Sequence, residues 1–99
     1  MIAKILAFGL SRAAAQQRIR TLMAEGKFDF DPHLLDEMNL RDISMRQVLV
    51  TVEEGTINQG PTLDEYNEWR CRLKKRVAGR LVRVVVAIQA DSLLLITTF

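Results

Sequence analysis

The sequence predicts an α+β fold, with N-terminal helices packed on one face of an antiparallel β-sheet. Three observations predict it. Helix caps and apolar stripes at helical spacing recur through residues 11–54, and the hydrophobic period changes to two near residue 68. The length, 99 residues, suits one domain spanning 1–99 and leaves no room for a second core.

The elements follow in order. Ser11 is an N-cap and Gly26 a C-terminal glycine, so residues 11–25 read as a helix whose Ala15, Ile19, Leu22 and Met23 form one apolar stripe. Arg12, Gln16 and Arg20 then face water or a ligand. Asp31-Pro32 opens a second helix, through about residue 38, with Leu34, Leu35 and Met38 as core contacts. Ser44 caps a third over residues 45–54, with Val48, Leu49 and Val52 inside. Residues 55–67, which contain Gly60-Pro61, read as a loop. In residues 68–77 the charges Glu68, Arg70, Arg72, Lys74 and Arg76 alternate with Trp69, Cys71, Leu73, Lys75 and Val77, the pattern of a strand with one charged face. Ala78-Gly79 is a turn, the valine-rich residues 80–89 are a central strand, and residues 93–99 are the last strand.

A composition of 48% apolar and 26% charged residues excludes disorder and a fibre. No apolar run approaches the roughly 20 residues that span a bilayer, so no membrane association is expected. Residues 1–10 faintly resemble a signal peptide, but their apolar core is short and Ser11-Arg12 stands where small cleavage-site residues belong. A single cysteine, Cys71, and a single histidine cannot build a zinc site, so neither metal nor cofactor is expected. A reducing, cytoplasmic location follows.

Charge order is more informative than the net charge of +2. Residues 25–68 hold 11 acids against three bases, a net of −8, whereas residues 70–83 hold seven bases and no acid. Such a concentration is the footprint of a phosphate-binding surface. The alternative is internal salt bridging between acidic helices and basic strands.

If a two- or four-residue loop closes at Ala78-Gly79, Arg72 faces Val85, Lys74 faces Arg83 and Arg76 faces Leu81. Arg70, Arg72, Lys74, Arg76 and Arg83 then share one sheet face. A three-residue loop with a bulge would instead turn Arg83 to the other face. Alternate strand residues stand about 6.5 to 7 Å apart, close to the phosphate spacing of a single strand, and each phosphate contact releases counterions. Arginine outnumbers lysine ten to four, which suits bidentate phosphate recognition. A solvated basic face that protects an edge strand from aggregation is the structural alternative.

Other candidates complete the set. His33 belongs to the residue type that most often moves protons in catalysis, although a histidine opening a short helix also serves for capping or packing. Glu68 is either a general base beside the arginines or their salt-bridge partner. Tyr66 can stack on a base, and Arg80 adds another cation for RNA. The expected catalytic set is therefore His33, Glu68, Arg72 and Lys74, and the expected RNA contacts are Arg70, Arg76, Arg80, Arg83 and Tyr66. Parity sends Trp69 and Cys71 to the core.

Two stretches resemble a family of small, largely uncharacterised bacterial domains. In HLLDEMNLRDISMRQVLVTVEEGTI, residues 33–57, a His and a Met five residues later precede a turn like R-G-I-S and a helix ending E-x-G-x-I. RCRLKKRVAGRLVRVVVAI and the closing LLLITTF look like the same family's hairpin and final strand. Glu37 stands where that family usually has Arg, and Asp42 where it has Gly. The whole layout, with QRIRTLMAEGKF, Trp69 and VAGRLVRV, is similar to the MqsR toxins, relatives of the RelE-type fold that cleave messenger RNA. That resemblance implies the toxin of a type II toxin–antitoxin pair, a metal-independent endoribonuclease partnered by an antitoxin, often a zinc-finger and helix-turn-helix protein. The toxin's active-site lysine has no counterpart between Thr56 and Glu65, its Trp-Gln pair reads Trp69-Arg70, and its strand tyrosine is Val82. Fold and class carry over, but catalytic residues do not. The alternative function is a non-catalytic domain that uses the basic face to bind nucleic acid or protein.

Overall fold

The computed structural model describes residues 9–99, so the first eight residues of the 1–10 segment, with its signal-like apolar core, lie outside the described residues. Three α-helices and five strands follow: α1 (Arg12–Ala24), β1 (Phe28–Phe30), α2 (Pro32–Arg41), α3 (Met45–Glu54), β2 (Thr56–Leu63), β3 (Trp69–Val77), β4 (Arg80–Ile88) and β5 (Leu93–Thr98). The fold is α+β, as the change of period implies.

Each helix begins where its cap dictates. The Ser11 hydroxyl accepts from the Ala14 N–H, the Asp31 carboxylate accepts from the His33 N–H, and Ser44 and Gln47 exchange bonds in a capping box. Helix α2 runs past the expected stop at residue 38 to Arg41. Asp42 adopts a left-handed φ of 55° there, a conformation that Asp tolerates better than most residues, and the Ile43 N–H reaches back to the Met38 carbonyl.

The sheet has the order β1-β5-β4-β3-β2. β2 to β5 form antiparallel neighbours, but β1 joins the far edge parallel to β5, so the sheet is mixed and not purely antiparallel. A three-residue strand carries no readable period, which is why the sequence does not announce it. The expected loop at 55–67 is also corrected. Its residues 56–63 are β2, an edge strand that buries only Ile57 and is irregular between Gln59 and Thr62. Pro61 has no N–H to give a ladder, and an edge-strand irregularity is where that absence is tolerated. Gly60 is required beside it: its φ is +94°, and a Cβ would lie 2.5 Å from the Arg70 carbonyl oxygen.

The two-residue closure at Ala78-Gly79 is the one realised, with both residues at positive φ, as a type I′ turn demands. It fixes the pairs Arg72–Val85, Lys74–Arg83 and Arg76–Leu81. A single apolar cluster contains Ala15, Ile19 and Leu22 of α1, Val48 and Val52 of α3, and Cys71, Leu73, Val84, Val86 and Leu95 of the sheet. Leu34 joins it, whereas Leu35, expected inside, is 46% exposed.

Candidate nucleic-acid interface

The alternation in β3 and its register with β4 build the interface. Residues paired directly across an antiparallel ladder project to the same side, so three rows run over the face of β2, β3, β4 and β5 opposite Cys71 and Leu73. One row holds Thr62, Arg70, Ala87 and Leu94. The next holds Gln59, Arg72, Val85 and Thr97. The third holds Thr56, Lys74 and Arg83, and Phe99 extends it by exchanging backbone bonds with Arg83 at 3.1 and 3.2 Å. Cations thus occupy the middle of a face bordered by neutral polar residues of β2.

Most of these cations lack a carboxylate. Arg70 is bound by Asp64 at 2.7 Å, and Lys75, on the other face of the strand, lies 3.7 Å from Glu54. Among the described residues, Arg72, Lys74, Arg76 and Arg83 have no acidic partner within 4.0 Å, so the expected alternative of internal salt bridging does not account for them. Lys74 opposite Arg83 is a like-charge pair that costs a few tenths of a kcal/mol or more. Phe99, which the sequence reading does not single out, offsets part of this: the Arg72 guanidinium lies 4.4 Å from its ring centroid and that of Arg83 lies 5.9 Å from it. The signal was available only as an aromatic at the chain's last position, and the register needed to place it there includes an irregularity between Val85 and Val86.

A hollow of about 100 Å³ opens on this face where β2 departs from regular pairing, and Gln59, Thr62, Arg70, Arg72 and Val85 line it. Helix α1 holds β2 from its outer edge. The Gln16 amide donates to the Gly55 carbonyl and accepts from the Ile57 N–H, both at 3.1 Å, and Arg12 donates to the Gly60 carbonyl at 3.0 Å. These side chains, expected to face water or a ligand, instead satisfy the free backbone of an edge strand.

The other candidates are dispersed. Glu68 accepts from the Gln89 amide at 3.0 Å, one residue before β3 begins. Tyr66 is 70% exposed in the β2–β3 loop. Asp64 organises that loop by accepting from the Tyr66 and Glu68 N–H groups. Burial acts to raise its pKa, but those two N–H donors and the Arg70 guanidinium outweigh it and hold the carboxyl below its ordinary value. Arg80 is on the helix side of β4 and donates to the Arg41 and Asp42 carbonyls, closing the C-terminal end of α2. His33 is exposed at the start of α2, 3.8 Å from Glu37. It follows β1, which β5 and β4 separate from β3, so the structure does not bring it beside the cations. Cys71 and Trp69 are buried, and burial pushes the Cys71 thiol up to about 11, which leaves it a core residue and a poor nucleophile.

Among the described residues no group of three His, Cys, Asp or Glu side chains is arranged to hold a metal ion, and no helix is long and apolar enough to cross a membrane. No curated protein matches the chain. A family profile described as a domain of unknown function, DUF4258, matches residues 30–99, which takes in every strand but the start of β1 and both α2 and α3. The chain belongs to the DUF4258 family.

Proposed function

We propose that this protein binds single-stranded RNA across the outer face of β3 and β4 and, as its resemblance to the MqsR toxins implies, cleaves it as the toxin of a toxin–antitoxin pair. One observation carries the reading: Arg72, Lys74, Arg76 and Arg83 share a sheet face, and among the described residues none of the four has an acidic partner within 4.0 Å. Successive phosphates along a strand would meet cations about 6.5 to 7 Å apart, and the arginines would stabilise charge that develops on a phosphorane during attack by the 2′-hydroxyl. Glu68, at the entry to β3, would accept the hydroxyl proton, and as the P–O5′ bond breaks the 5′-oxygen would leave with a proton returned by Glu68 or drawn from water. A second reading, a domain that binds RNA without cleaving it, is favoured by the engagement of Glu68 with Gln89 and by the distance of His33 across the sheet.

Incubating the protein with RNA, with and without EDTA, separates the two. Cleavage that survives EDTA and falls in Arg72→Ala supports the toxin. RNA binding without cleavage supports the second reading, and salt-independent binding removes the basic face from both. The gene adjoining this one is the cheapest further test, because an antitoxin encoded there would be expected to shield the same cations.

A further inference from the structure

We infer that the hollow between β2 and β3 is a subsite for one internal phosphodiester group, with Arg72 as its fixed cation and Gln59 and Thr62 as its neutral donors. This rests on the RNA-binding reading and names which phosphate is held and how. The hollow, about 100 Å³ and open to solvent, has room for a tetrahedral oxyanion, and its lining offers a guanidinium from each of Arg70 and Arg72, an amide from Gln59 and a hydroxyl from Thr62.

Arg72 is the unusual member. Its Nε is shut off from solvent, and among the described residues it is bonded to no protein acceptor and its guanidinium has no carboxylate within 4.0 Å. A guanidinium so placed is costly unless an acceptor completes it. Phe99 fixes the group from one side at 4.4 Å, so its remaining donors are held in place before any ligand arrives. Phe99 is thus a positioning residue for Arg72.

Charge selects the kind of phosphate. Of the two guanidinium charges that line the hollow, Asp64 offsets that of Arg70, and among the described residues Arg72 is the one of the two without an acidic partner within 4.0 Å. A phosphodiester carries one negative charge and matches it. A terminal phosphate monoester carries closer to two near neutral pH and leaves charge unmatched. The irregularity of β2 supplies the room: because Gly60-Pro61 leaves the ladder between Gln59 and Thr62, those two side chains flank the hollow rather than closing over it.

The test is a nuclear magnetic resonance titration of the full chain, following the Arg72 Nε–Hε and Gln59 side-chain amide signals. The probes are a dinucleotide with one internal phosphodiester, a nucleoside 5′-monophosphate and inorganic phosphate. The dinucleotide is expected to shift both signals saturably and to bind at least tenfold more tightly than inorganic phosphate. Gln59→Leu and Thr62→Val, at exposed positions of the edge strand, should each weaken it several-fold with the fold intact. Phe99→Leu should weaken it, and Phe99→Tyr should restore it. Inorganic phosphate or the monophosphate binding as tightly as the dinucleotide overturns the diester assignment. Oligomeric RNA that binds while the Arg72 and Gln59 signals stay still overturns the subsite and leaves RNA binding standing. Dinucleotide shifts at both signals without measurable affinity for longer RNA uphold the subsite and defeat the broader reading.

Discussion

The two faces of β3 obey opposite rules although their residues alternate along one strand. On the inner face Trp69, Cys71 and Leu73 are 7%, 2% and 0% exposed, and they meet Ile88, Val86 and Val84 across the ladder. Shape and apolar area hold that face together, and burying such a side chain stabilises the fold by about 1.5–3 kcal/mol. On the outer face Arg72 and Lys74 meet Val85 and Arg83, and among the described residues neither cation has a carboxylate within 4.0 Å. That face works against the fold, if only weakly. One strand therefore separates the two demands: the inner residues secure the register, and the register brings together cations that would otherwise repel each other apart.

Breaking the inner face is expected to have the largest effect. Leu73→Ala leaves a cavity in the middle of the cluster and should cost about 2–5 kcal/mol, read as a fall in the midpoint of urea unfolding. The variant that remains folded should keep the salt dependence of RNA binding. A change in salt slope at equal fold population would mean that the two faces are not separable.

The outer face should respond in the reverse sense. Arg72→Ala is expected to weaken RNA binding by about 1.5–3 kcal/mol, the range for a hydrogen bond to a charged group. The slope of log affinity against log salt should fall by about one counterion, with the unfolding midpoint nearly unchanged. A large loss of stability with an unaltered salt slope would assign Arg72 to packing through Phe99. His33→Ala should leave both binding and any cleavage near wild type, since it follows β1 and β5 stands between β1 and the cation-bearing strands β4 and β3.

How much of this was legible depends on what each element buries. The stripe Ala15, Ile19, Leu22 and Met23 and the alternation of residues 69–77 were readable, because a buried face stamps its period on the sequence. The hairpin register required the turn type, and Ala78-Gly79 was compatible with more than one closure until the positive φ at both residues settled it. β2 and β1 left no stamp. β2 buries Ile57 alone and is held by Gln16 and Arg12 from a helix some 40 residues earlier, a non-local bond that no local pattern announces. The hollow was hidden for the same reason, since Gln59 and Thr62 lie in the segment that reads as a loop. Arg80 shows the limit of counting charges: it belongs to the basic run, yet parity and two helix-end carbonyls place it on the helix side.

A charge reversal sharpens the comparison at a smaller scale. Lys74→Glu replaces the like-charge pair with Arg83 by an attractive one, so stability should rise by a few tenths of a kcal/mol. RNA affinity should fall by more than in a neutral Lys74→Ala variant, because a carboxylate repels the phosphate that the lysine attracts. Thermal unfolding and binding at matched salt read both. Stability and affinity falling together would show that Lys74 has a structural partner.

The smallest expected effect lies in the loop that joins the two faces' edge. Asp64 is ionised in the fold below the pH at which an ordinary aspartate protonates, since the Tyr66 and Glu68 N–H groups and Arg70 favour its charged form over the opposing effect of burial. A lowered folded-state pKa stabilises the protein above the unfolded value of 3.8, and that contribution disappears as pH falls through the lower folded value. Asp64→Asn keeps an acceptor oxygen but removes the charge. The variant should therefore unfold at a lower temperature than the wild type near neutral pH, and the gap should close as the pH falls below 3.8. Near neutral pH it also frees Arg70 of its partner, which raises the positive charge around the hollow, so inorganic phosphate should bind the variant more tightly than it binds the wild type. A stability gap that stays constant through acid pH would assign the loss to loop geometry instead of charge. An unchanged phosphate affinity would show that Asp64 does not set the charge balance of the outer face.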